Sequence, residues 1–369
     1  MTTPQSDLHP TIRRIGVLTG GGDAPGLNAV IRAVTLTAIR QEGWEVFGVR
    51  HGFEGLLRDS PDVIELTTES VAGLLSRGGT MLGAASHSNS DLFEMSDNGP
   101  VVSQWAIKRV REQLKALEID ALVIIGGDGT MAMAQQFFEA GIPLVGVPKT
   151  IDNDLLVTEL TFGFDSALDQ ATDALDRLHT TAESHNRVMV MEVMGRNSGW
   201  IALHAGVAGS ADVILNPETP FTIDKICEKI TERQVQGRMF SIVVVAEGAK
   251  PQEGEQMYRT HGEQRSLGGI GHWVAERLAE QCGVQTRAVV LGHLQRGGSP
   301  SAFDRNLATM FGASAVRLIA KEKFGYLTSL QCNDIVSVPI AGAVGGQKKV
   351  PLEGKLVQTA LGLGVSFGV

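Results

Sequence analysis

The sequence predicts an α/β protein made of two doubly wound parallel-sheet domains. The chain has 369 residues, more than a single compact core of typical size holds. Short apolar runs alternate along it with segments of helical period. Each apolar run is followed by glycine-rich or polar residues, which is typical of a strand that ends in a loop.

The first four apolar runs predict one parallel sheet, because strands covered on both faces are apolar throughout. These strands are expected at Ile15–Leu18, Val46–Val49, Ala121–Ile125 and Leu144–Val147. Amphipathic patterns between them predict helices at Leu27–Arg40, Trp105–Leu117 and Met131–Ala140. Strand and helix therefore alternate as they do in βαβ units.

The same alternation resumes in the second half of the chain. A helix is predicted around Ser166–Leu178, and strands at Val188–Val193, Ile242–Ala246 and Ala288–Leu291. The polar stretch Lys250–Ser266 has no period and is expected to be a surface loop. We expect one domain to contain residues 1–163 and about 294–345, and the other residues 164–293 and about 346–369.

Composition excludes several classes of protein. The formal net charge of −9 argues against a nucleic-acid partner or an anionic membrane surface. No apolar run has the length of a membrane span, and residues 1–10 lack the pattern of a secretory leader. The three cysteines, Cys227, Cys282 and Cys332, are far apart and odd in number. We therefore expect buried thiols and no disulfide, a reducing compartment and a cytoplasmic protein.

Ligands of open parallel sheets bind at the carboxyl ends of the strands, so the residues after each strand are the first candidates. The segment after the first strand reads Thr19-Gly-Gly-Gly-Asp-Ala-Pro-Gly-Leu-Asn28. Its glycines, Gly21 among them, would let backbone amides approach a phosphate at the start of the next helix. The spacing fits neither the dinucleotide fingerprint nor a Walker loop, and an ordinary turn capped by Asp23 explains it equally well.

A second glycine-rich loop, Gly126-Gly-Asp-Gly-Thr130, follows the third strand. A carboxylate among backbone amides would repel a bare phosphate, so Asp128 is better explained as a Mg²⁺ ligand. The amides around it would then hold nucleotide oxygens. Two such loops at the ends of neighbouring strands make a simple turn a weaker explanation.

The segment after the fourth strand carries two carboxylates and a cation. It reads Pro148-Lys-Thr-Ile-Asp-Asn-Asp154. Asp152 and Asp154 are two residues apart, so they point the same way if the segment is extended. One could act as a base on an attacking hydroxyl while the other assists a metal. An Asx turn would explain Asn153 and one aspartate, but not Lys149 and Thr150.

With these loops the sequence resembles the 6-phosphofructokinase family. Further motifs follow in order as far as residue 298: Gly78–Gly83, Ser184–Arg187, Glu192–Arg196, Ala246–Gly248, Thr286–Arg287 and Leu291–Gly298. The resemblance implies two Rossmann-like domains with the active site in the cleft between them. The first domain would bind ATP and Mg²⁺, the second fructose 6-phosphate, and the γ-phosphate would move to the 1-hydroxyl of the sugar.

The resemblance also implies a role for each matching residue. Asp152 would take the proton of the 1-hydroxyl, with Thr150 beside it and Asp154 assisting the metal or orienting the base. Arg196 would neutralise charge on the transferring group. The donor and its metal, held by Asp128, would contact Gly21, Asp128, Gly129, Thr130 and Lys149.

The sugar phosphate has its own set of implied contacts. Besides Thr150, Asp152 and Arg196, these are Arg187, Met194, Gly195, Glu247, Arg287, His293 and Arg296. Glu247 would accept hydrogen bonds from sugar hydroxyls, and the remaining arginines and His293 would surround the 6-phosphate. In the family, the residues matching Arg187 and Arg287 come from a neighbouring subunit, so a homo-oligomer, dimer or tetramer, is implied.

Two positions indicate different phosphoryl donors. Gly129 matches the ATP-dependent members, because the pyrophosphate-dependent members carry an aspartate there that would oppose the α-phosphate. Lys149 matches the pyrophosphate-dependent members. An extra lysine attracts either donor, whereas the aspartate would exclude ATP. The sequence therefore favours ATP, with pyrophosphate as the alternative.

The chain departs from the familiar bacterial pattern in places. Ser86 stands where an arginine is expected, and Leu36, His179 and Met239 replace basic residues of the effector site, although Arg32 remains. Regulation of the bacterial type is therefore in doubt. A non-catalytic sugar-phosphate sensor is a remote alternative, since it would not need Asp152. NAD kinase shares the Gly126–Thr130 motif but leaves the arginines unexplained.

Overall fold

The computed structural model describes residues 12–84, 92–96, 99–261 and 264–369. The chain divides into two compact units. Unit 1 consists of Met1–Lys149, Val157–Glu159 and Arg305–Gly345, and unit 2 of Thr150–Leu156, Leu160–Asp304 and Gly346–Val369. The chain passes from one unit to the other after Lys149, Leu156, Glu159, Asp304 and Gly345. The domain boundaries expected from the sequence stay a prediction.

Unit 1 is built around a seven-stranded sheet. Its strands are β1 (Arg14–Thr19), β2 (Glu45–Val49), β3 (Val63–Leu66), β6 (Ala121–Gly126), β7 (Leu144–Pro148), β14 (Tyr326–Gln331) and β15 (Asp334–Pro339), and β4 (Phe93–Ser96) pairs separately with β5 (Gly99–Val102). Its helices are α1 (Leu27–Thr37), α2 (Glu54–Leu57), α3 (Gln104–Ala116), α4 (Asp128–Glu139) and most of α9 (Ala302–Ala320).

The sheet of unit 1 has the order β15-β14-β7-β6-β1-β2-β3. The five central strands are parallel. Four of them, β1, β2, β6 and β7, are the predicted strands, and β14 was not predicted. The two edge strands differ from the prediction, since β3 and β15 run antiparallel to their neighbours. Strand β15 follows β14 through Cys332 and Asn333 alone, which permits only the antiparallel direction, whereas β3 follows β2 through a longer segment that contains α2.

Strand β1 marks the point where the order of connection reverses. The chain leaves β1 for β2 on one side and later returns to β6 on the other side. The crevice at the carboxyl ends of β1 and β6 is therefore a topological switch point, where ligands of such sheets bind. The two predicted glycine-rich loops follow these two strands.

Unit 2 has a four-stranded parallel sheet with the order β13-β8-β10-β9. Its strands are β8 (Val188–Val193), β9 (Val213–Leu215), β10 (Ser241–Ala246) and β13 (Thr286–Val290). Its helices are α5 (Phe164–His185), α6 (Trp200–Ala208), α7 (Ile223–Val235), α8 (Ile270–Cys282) and α10 (Lys355–Gly362). The predicted strand Ala288–Leu291 thus begins two residues earlier, and the predicted helix at Ser166–Leu178 is longer at both ends.

The core of unit 2 forms where α7 and α8 pack on one face of this sheet. Alternate residues of the strands, such as Val188 and Val190, contact Ile226 of α7 and Leu278 of α8 within one buried cluster. Side chains alternate between the faces of a strand, so the other residues of β8 meet α5, which also contacts the sheet. The sheet is covered on both faces, as a doubly wound domain requires.

The cysteines correct one prediction. Cys227 on α7 and Cys282 at the end of α8 form a disulfide, with Cα atoms 5.5 Å apart, and Cys332 is exposed. The sequence suggested buried thiols because these cysteines are 55 residues apart. Because α7 packs beside α8, the two cysteines are close in space although they are far apart in the sequence. The cysteines are therefore no argument for a reducing compartment.

The segment Lys250–Ser266, expected to be a loop, is also a correction. It contains a two-stranded hairpin formed by β11 (Tyr258–His261) and β12 (Gln264–Leu267). The segment is mostly polar and lacks the alternation of apolar and polar residues that signals a strand, so the sequence did not predict this hairpin.

Within the described part of the chain, no helix is both long and apolar enough to span a membrane.

Candidate functional site

The glycines after β1 and β6 are required by a buried threonine. The side chain of Thr130 is 2% exposed and fills the space beside Gly20 and Gly126. A Cβ atom at Gly20 would lie 2.7 Å from Thr130 Oγ1, and one at Gly126 would lie closer still. The two loops of unit 1 are therefore packed against each other through Thr130, one of the predicted donor contacts.

Helix α4 begins within the second loop, three residues earlier than predicted. Its first residue is Asp128, whose Oδ1 accepts a hydrogen bond of 2.7 Å from the backbone amide of Gly129. Both residues are exposed. The free amides and the dipole of a helix amino terminus favour an anion, and this terminus lies at the switch point of the sheet.

Asp128 fits the magnesium ion that the family resemblance implies. Magnesium is usually held by one or two protein carboxylates, by substrate phosphates and by water, and not by a cage of side chains. No group of three or more metal-ligating residues occurs among the residues that the structure describes. A single exposed carboxylate beside a phosphate-binding helix terminus is the arrangement that such a shared ion needs.

Lys149 joins the two loops. Its side chain is 4% exposed, and its Nζ donates to the carbonyl oxygen of Gly22. Its backbone amide donates to the carbonyl oxygen of Gly126 at 2.9 Å. A Cβ atom at Gly21 would lie 3.4 Å from this ammonium, and Gly21 has a φ of +73°, which favours glycine. The structure thus brings all five predicted donor residues to one edge of unit 1.

The loop with Asp152 belongs to unit 2. Thr150 Oγ1 accepts a hydrogen bond of 3.1 Å from the backbone amide of Asp152, and the Thr150 carbonyl accepts one of 2.7 Å from Thr161 Oγ1. Ser198 Oγ donates to the Asp152 carbonyl at 3.2 Å. The backbone of this loop is therefore fixed on both sides of the Asp152 carboxylate.

Lys348 holds the second half of this loop. Its Nζ donates to Asn153 Oδ1 at 2.9 Å, and its backbone amide donates to the Asp154 carbonyl at 2.7 Å. Asn153 has a φ of +50°, a conformation that asparagine tolerates better than most residues. Asp154 is only 8% exposed. A lysine almost 200 residues away in the sequence thus stabilises the loop, which no local pattern could show.

The remaining predicted side chains follow the strands of unit 2. Met194, Gly195 and Arg196 come directly after β8, Glu247 after β10, and His293 and Arg296 after β13. The Glu247 amide donates to the Val193 carbonyl at 2.8 Å, and the Gly248 amide to the Gly195 carbonyl at 3.1 Å. A Cβ atom at Gly248 would collide with the Arg196 carbonyl, so the backbones meet only because Gly248 has no side chain.

Glu247 is the most perturbed carboxyl group of this edge. Burial raises its pKa to about 7, and repulsion from the carboxylates of Asp152 and Glu192 adds to the shift. The guanidinium groups of Arg296 and Arg196 act in the opposite direction and lower the pKa. Asp152, Arg196 and Arg296 are therefore close enough to Glu247 to affect its charge. Hydrogen bonds to the Asp152 and Gly195 carbonyls join the segments that carry Asp152, Arg196 and Glu247.

Two predicted residues lie elsewhere. Arg187 directly precedes β8, and Arg287 is the second residue of β13, so both are at the amino ends of their strands. Arg196 and Arg296 follow the carboxyl ends of the same strands. Because a strand rises about 3.3 Å per residue, the six residues of β8 separate Arg187 from Met194 by roughly 20 Å. Within one chain, the structure does not bring Arg187 and Arg287 to Glu247.

Glu192, at the same edge of unit 2, had no role in the sequence analysis. Glu192 is 3% exposed, and its carboxylate accepts bonds of 2.8 to 3.2 Å from the amides of Gly269 and Gly271 at the start of α8. An acidic residue inside the apolar run Val188–Val193 was the available signal. Phe53 stacks on Phe137 in the core, 3% exposed. Ser86 lies outside the described residues.

The arrangement has the parts that phosphoryl transfer needs. Unit 1 offers a helix amino terminus, a carboxylate for a metal ion and a lysine, which together suit a polyphosphate. Unit 2 offers a carboxylate beside arginines and a carboxyl group for sugar hydroxyls.

Comparison with known proteins agrees with this chemistry. A family model described as phosphofructokinase matches residues 14–319. An ATP-dependent 6-phosphofructokinase of Chloroflexus aggregans is 54% identical over 361 residues, which is 96% of this chain and 98% of the relative. A pyrophosphate–fructose 6-phosphate 1-phosphotransferase of Amycolatopsis methanolica is 49% identical over 345 residues, covering 92% and 97%.

A solved structure supports the same conclusion. Phosphofructokinase from Saccharomyces cerevisiae matches with a TM-score of 0.76 and 34% identity. The match covers 90% of this chain, and the chain spans about 45% of the yeast protein's length. The family model covers most of the chain and the bacterial relatives cover nearly all of it, so the chain belongs to the phosphofructokinase family.

Proposed function

We propose that this protein transfers the γ-phosphate of ATP to the 1-hydroxyl of fructose 6-phosphate, giving fructose 1,6-bisphosphate and ADP. The observation that carries the proposal is the packing of three backbone segments at the carboxyl edge of unit 2. Ser198 donates to the Asp152 carbonyl and the Gly248 amide donates to the Gly195 carbonyl, so Asp152, Arg196 and Glu247 lie on adjoining segments. A binding protein would have no need for a carboxylate of this kind among the arginines that neutralise phosphate.

The roles follow from the chemistry of each group. Asp152 accepts the proton of the 1-hydroxyl as it attacks, and the bonds from Thr150 and Ser198 to its backbone keep the carboxylate in place. Arg196 stabilises the charge that develops on the transferring group. Glu247 orients the sugar through its hydroxyls, and Arg296 with His293 binds the 6-phosphate.

The donor binds at the loops of unit 1 in this proposal. The start of α4 with Gly129 and Thr130 holds donor phosphates, and Gly21 lets the first loop approach them. Asp128 would hold Mg²⁺, which, when bound, neutralises charge on the donor phosphates. Asp154, in the same loop of unit 2 as Asp152, orients Asp152 or assists the ion.

ATP is the donor that Gly129 favours. Gly129 is exposed at the first turn of α4, where a side chain would occupy the space needed by an α-phosphate. The relative from Chloroflexus aggregans, at 54% identity, is named as ATP-dependent. Because a carboxylate at this position would repel the phosphates of ATP, we expect Gly129→Asp to abolish ATP-dependent turnover.

Pyrophosphate is the second candidate donor, and Lys149 favours it. The ammonium of Lys149 lies in the first glycine-rich loop, where it attracts any polyphosphate. The relative from Amycolatopsis methanolica is named as pyrophosphate-dependent. This alternative uses the same acceptor site of unit 2 and the same base.

An oligomer with shared sites is part of the proposal. Arg187 lies roughly 20 Å from Met194 of its own chain, and Arg287 lies about 13 Å from Leu291, because a strand rises about 3.3 Å per residue. A complete set of 6-phosphate contacts therefore requires these arginines from a second copy of the chain. A homo-oligomer, dimer or tetramer, provides them.

A product assay tests the proposed function. The purified protein is given ATP, Mg²⁺ and either fructose 6-phosphate or fructose, and formation of the 1-phosphorylated product is measured. We expect product from fructose 6-phosphate and none from fructose, which lacks the 6-phosphate. Hydrolysis of ATP without a phosphorylated sugar would contradict the proposal.

A further inference from the structure

A glutamine between two predicted phosphate ligands has no assigned role. Gln295 lies in the short 3₁₀ helix Gly292–Arg296, with His293 and Arg296 on either side. Its neighbour Leu294 is 71% exposed, whereas Gln295 is completely buried. The side chain of Gln295 therefore points into unit 2, away from the surface on which Leu294 lies.

Inside the unit, Gln295 binds the backbone of the neighbouring strand's loop. Its Oε1 accepts a hydrogen bond of 2.8 Å from the amide of Met194, a buried residue. Met194 is the first residue after β8 and stands two positions before Arg196. A single buried bond thus connects the turn that carries Arg196 with the turn that carries His293 and Arg296.

The bond between Met194 and Gln295 extends the pairing of β8 with β13 beyond their last backbone hydrogen bond. β8 and β13 are parallel neighbours, and their ladder ends where the Leu291 amide donates to the Glu192 carbonyl at 3.0 Å. After that point the two backbones form separate turns. The Gln295 side chain replaces the missing backbone partner of Met194.

The amide nitrogen of Gln295 lowers the stability of the fold. Its Nε2 is buried and has no hydrogen-bond partner among the residues that the structure describes. Burying an unpaired amide destabilises a fold, and an apolar side chain of similar shape would avoid that cost. An apolar side chain would, however, leave the Met194 amide without an acceptor.

We propose that Gln295 is a positioning residue that fixes the spacing between the 6-phosphate ligands and Arg196 at the reacting end of the sugar. This inference rests on the proposed function of the same site. Gln295 does not touch the substrate, because it is buried beneath the turn. It acts by holding the two turns in one register, so that a sugar bound through its 6-phosphate presents its 1-hydroxyl at the correct place.

The test replaces Gln295 by methionine, which keeps the shape and removes the acceptor. The matched control is Gln136→Met in α4 of unit 1, because Gln136 Oε1 also accepts a backbone amide bond, from Val102 at 2.7 Å. Binding of fructose 6-phosphate without donor is measured by calorimetry, kcat and both KM values by the product assay, and the unfolding temperature by a thermal scan.

We expect Gln295→Met to lower kcat/KM for fructose 6-phosphate by about a hundredfold, as a displacement near 1 Å does. The KM for the donor should stay at the wild-type value, and Gln136→Met should lose stability without this loss of activity. If Gln295→Met does not fold, Gln295→Asn carries the same test, since its shorter amide cannot reach the Met194 amide.

Wild-type binding and turnover by Gln295→Met, with only a lower unfolding temperature, would overturn the inference, because the residue would then be structural. An equal loss of affinity for donor and sugar phosphate would also overturn it. Should the wild type bind fructose 6-phosphate without turning it over, the proposed function fails, and the binding data still decide the role of Gln295. Absence of binding by the wild type contradicts both.

Discussion

At the scale of single residues, Asp152 has the clearest surroundings. Its backbone is held by Thr150 and Ser198, and its charge acts on the half-buried Glu247. Thr150, Lys149 and both aspartates of this loop were identified in the sequence by their unusual combination. Ser198 and Lys348, which hold the loop, could not be identified, because their contacts depend on how the chain folds back on itself.

Replacement of Asp152, the proposed base, gives the first prediction. Asp152→Asn keeps the shape of the side chain but cannot accept the proton of the 1-hydroxyl. We expect kcat to fall by about 10² to 10⁴, with a small change in KM for fructose 6-phosphate. Asp173→Asn, which alters a surface carboxylate bonded to Arg177 on α5, is the control and should retain full activity. An active Asp152→Asn variant would remove Asp152 from the role of base.

Glu247 gives a prediction about pH. Burial first, and then Asp152 and Glu192, raise its pKa from the ordinary value to about 7. Ionised Glu247 makes the stronger hydrogen bonds to sugar hydroxyls, so the KM for fructose 6-phosphate should rise by about fivefold as pH falls through 7. Glu247→Gln should remove this step, while Glu228→Gln on the surface of α7 should retain it. The same KM profile in Glu247→Gln would assign the titration to the 6-phosphate.

The raised pKa of Glu247 also affects the stability of the fold. Rising pH improves binding of the sugar phosphate but lowers the free energy of unfolding. Below pH 7 the folded protein keeps a proton on Glu247 that the unfolded chain releases at the lower, ordinary pKa. The contribution of Glu247 to the free energy of unfolding therefore decreases as pH rises towards 7. Above pH 7 the Glu247→Gln variant should unfold at a higher temperature than the wild type, in a comparison of thermal scans.

At the scale of elements, the carboxyl ends of the strands organise both units. The apolar runs predicted seven strands, because a strand buried on both faces has a strong sequence signal: β1, β2, β6, β7, β8, β10 and β13. The buried strand β14 was missed, since Thr328 and Ser329 interrupt its apolar residues. Edge strand β3 and the hairpin of β11 and β12 were missed, since exposed or two-stranded segments lack that signal. The start of α4 at Asp128 was missed because glycines are poor helix formers.

The disulfide between α7 and α8 gives a prediction at this scale. Reduction, or Cys282→Ser, should lower the free energy of unfolding by about 2 to 4 kcal/mol, because the unfolded chain gains freedom. A thiol reagent should modify one cysteine in the oxidised protein, both native and denatured. Cys332→Ser, the control, should leave no reactive thiol and unchanged stability. Three reactive thiols in the denatured, unreduced protein would contradict the bond.

At the scale of the whole molecule, the proposed phosphate ligands form two groups. Arg187 and Arg287 lie at the amino ends of β8 and β13, and His293 and Arg296 follow the carboxyl end of β13. The family resemblance assigned Arg187 and Arg287 to a neighbouring subunit, and their position in the chain agrees with that assignment. Arg287 and His293 are only a few residues apart, but the strand predicted at Ala288–Leu291 lies between them and already separates the two groups in the sequence. The strand between them makes the difference.

Mixed oligomers test whether the sites are shared. Asp152→Asn and Arg287→Ala variants, each inactive, are denatured together and refolded. Because each hybrid interface can pair an intact Asp152 with an intact Arg287, we expect activity to reappear. The control pair is Asp152→Asn with Arg196→Ala, whose residues come from the same edge of one chain and should not complement. No recovery in the first pair, in hybrids shown to form, would contradict a shared site.

The measurement that tests the central claim most directly is phosphorylation of fructose 6-phosphate by the pure protein with ATP or pyrophosphate in separate reactions. The account predicts fructose 1,6-bisphosphate with ATP and Mg²⁺, because Gly129 leaves room for the α-phosphate. Product with pyrophosphate alone would contradict this assignment and make Lys149 the residue that selects the donor.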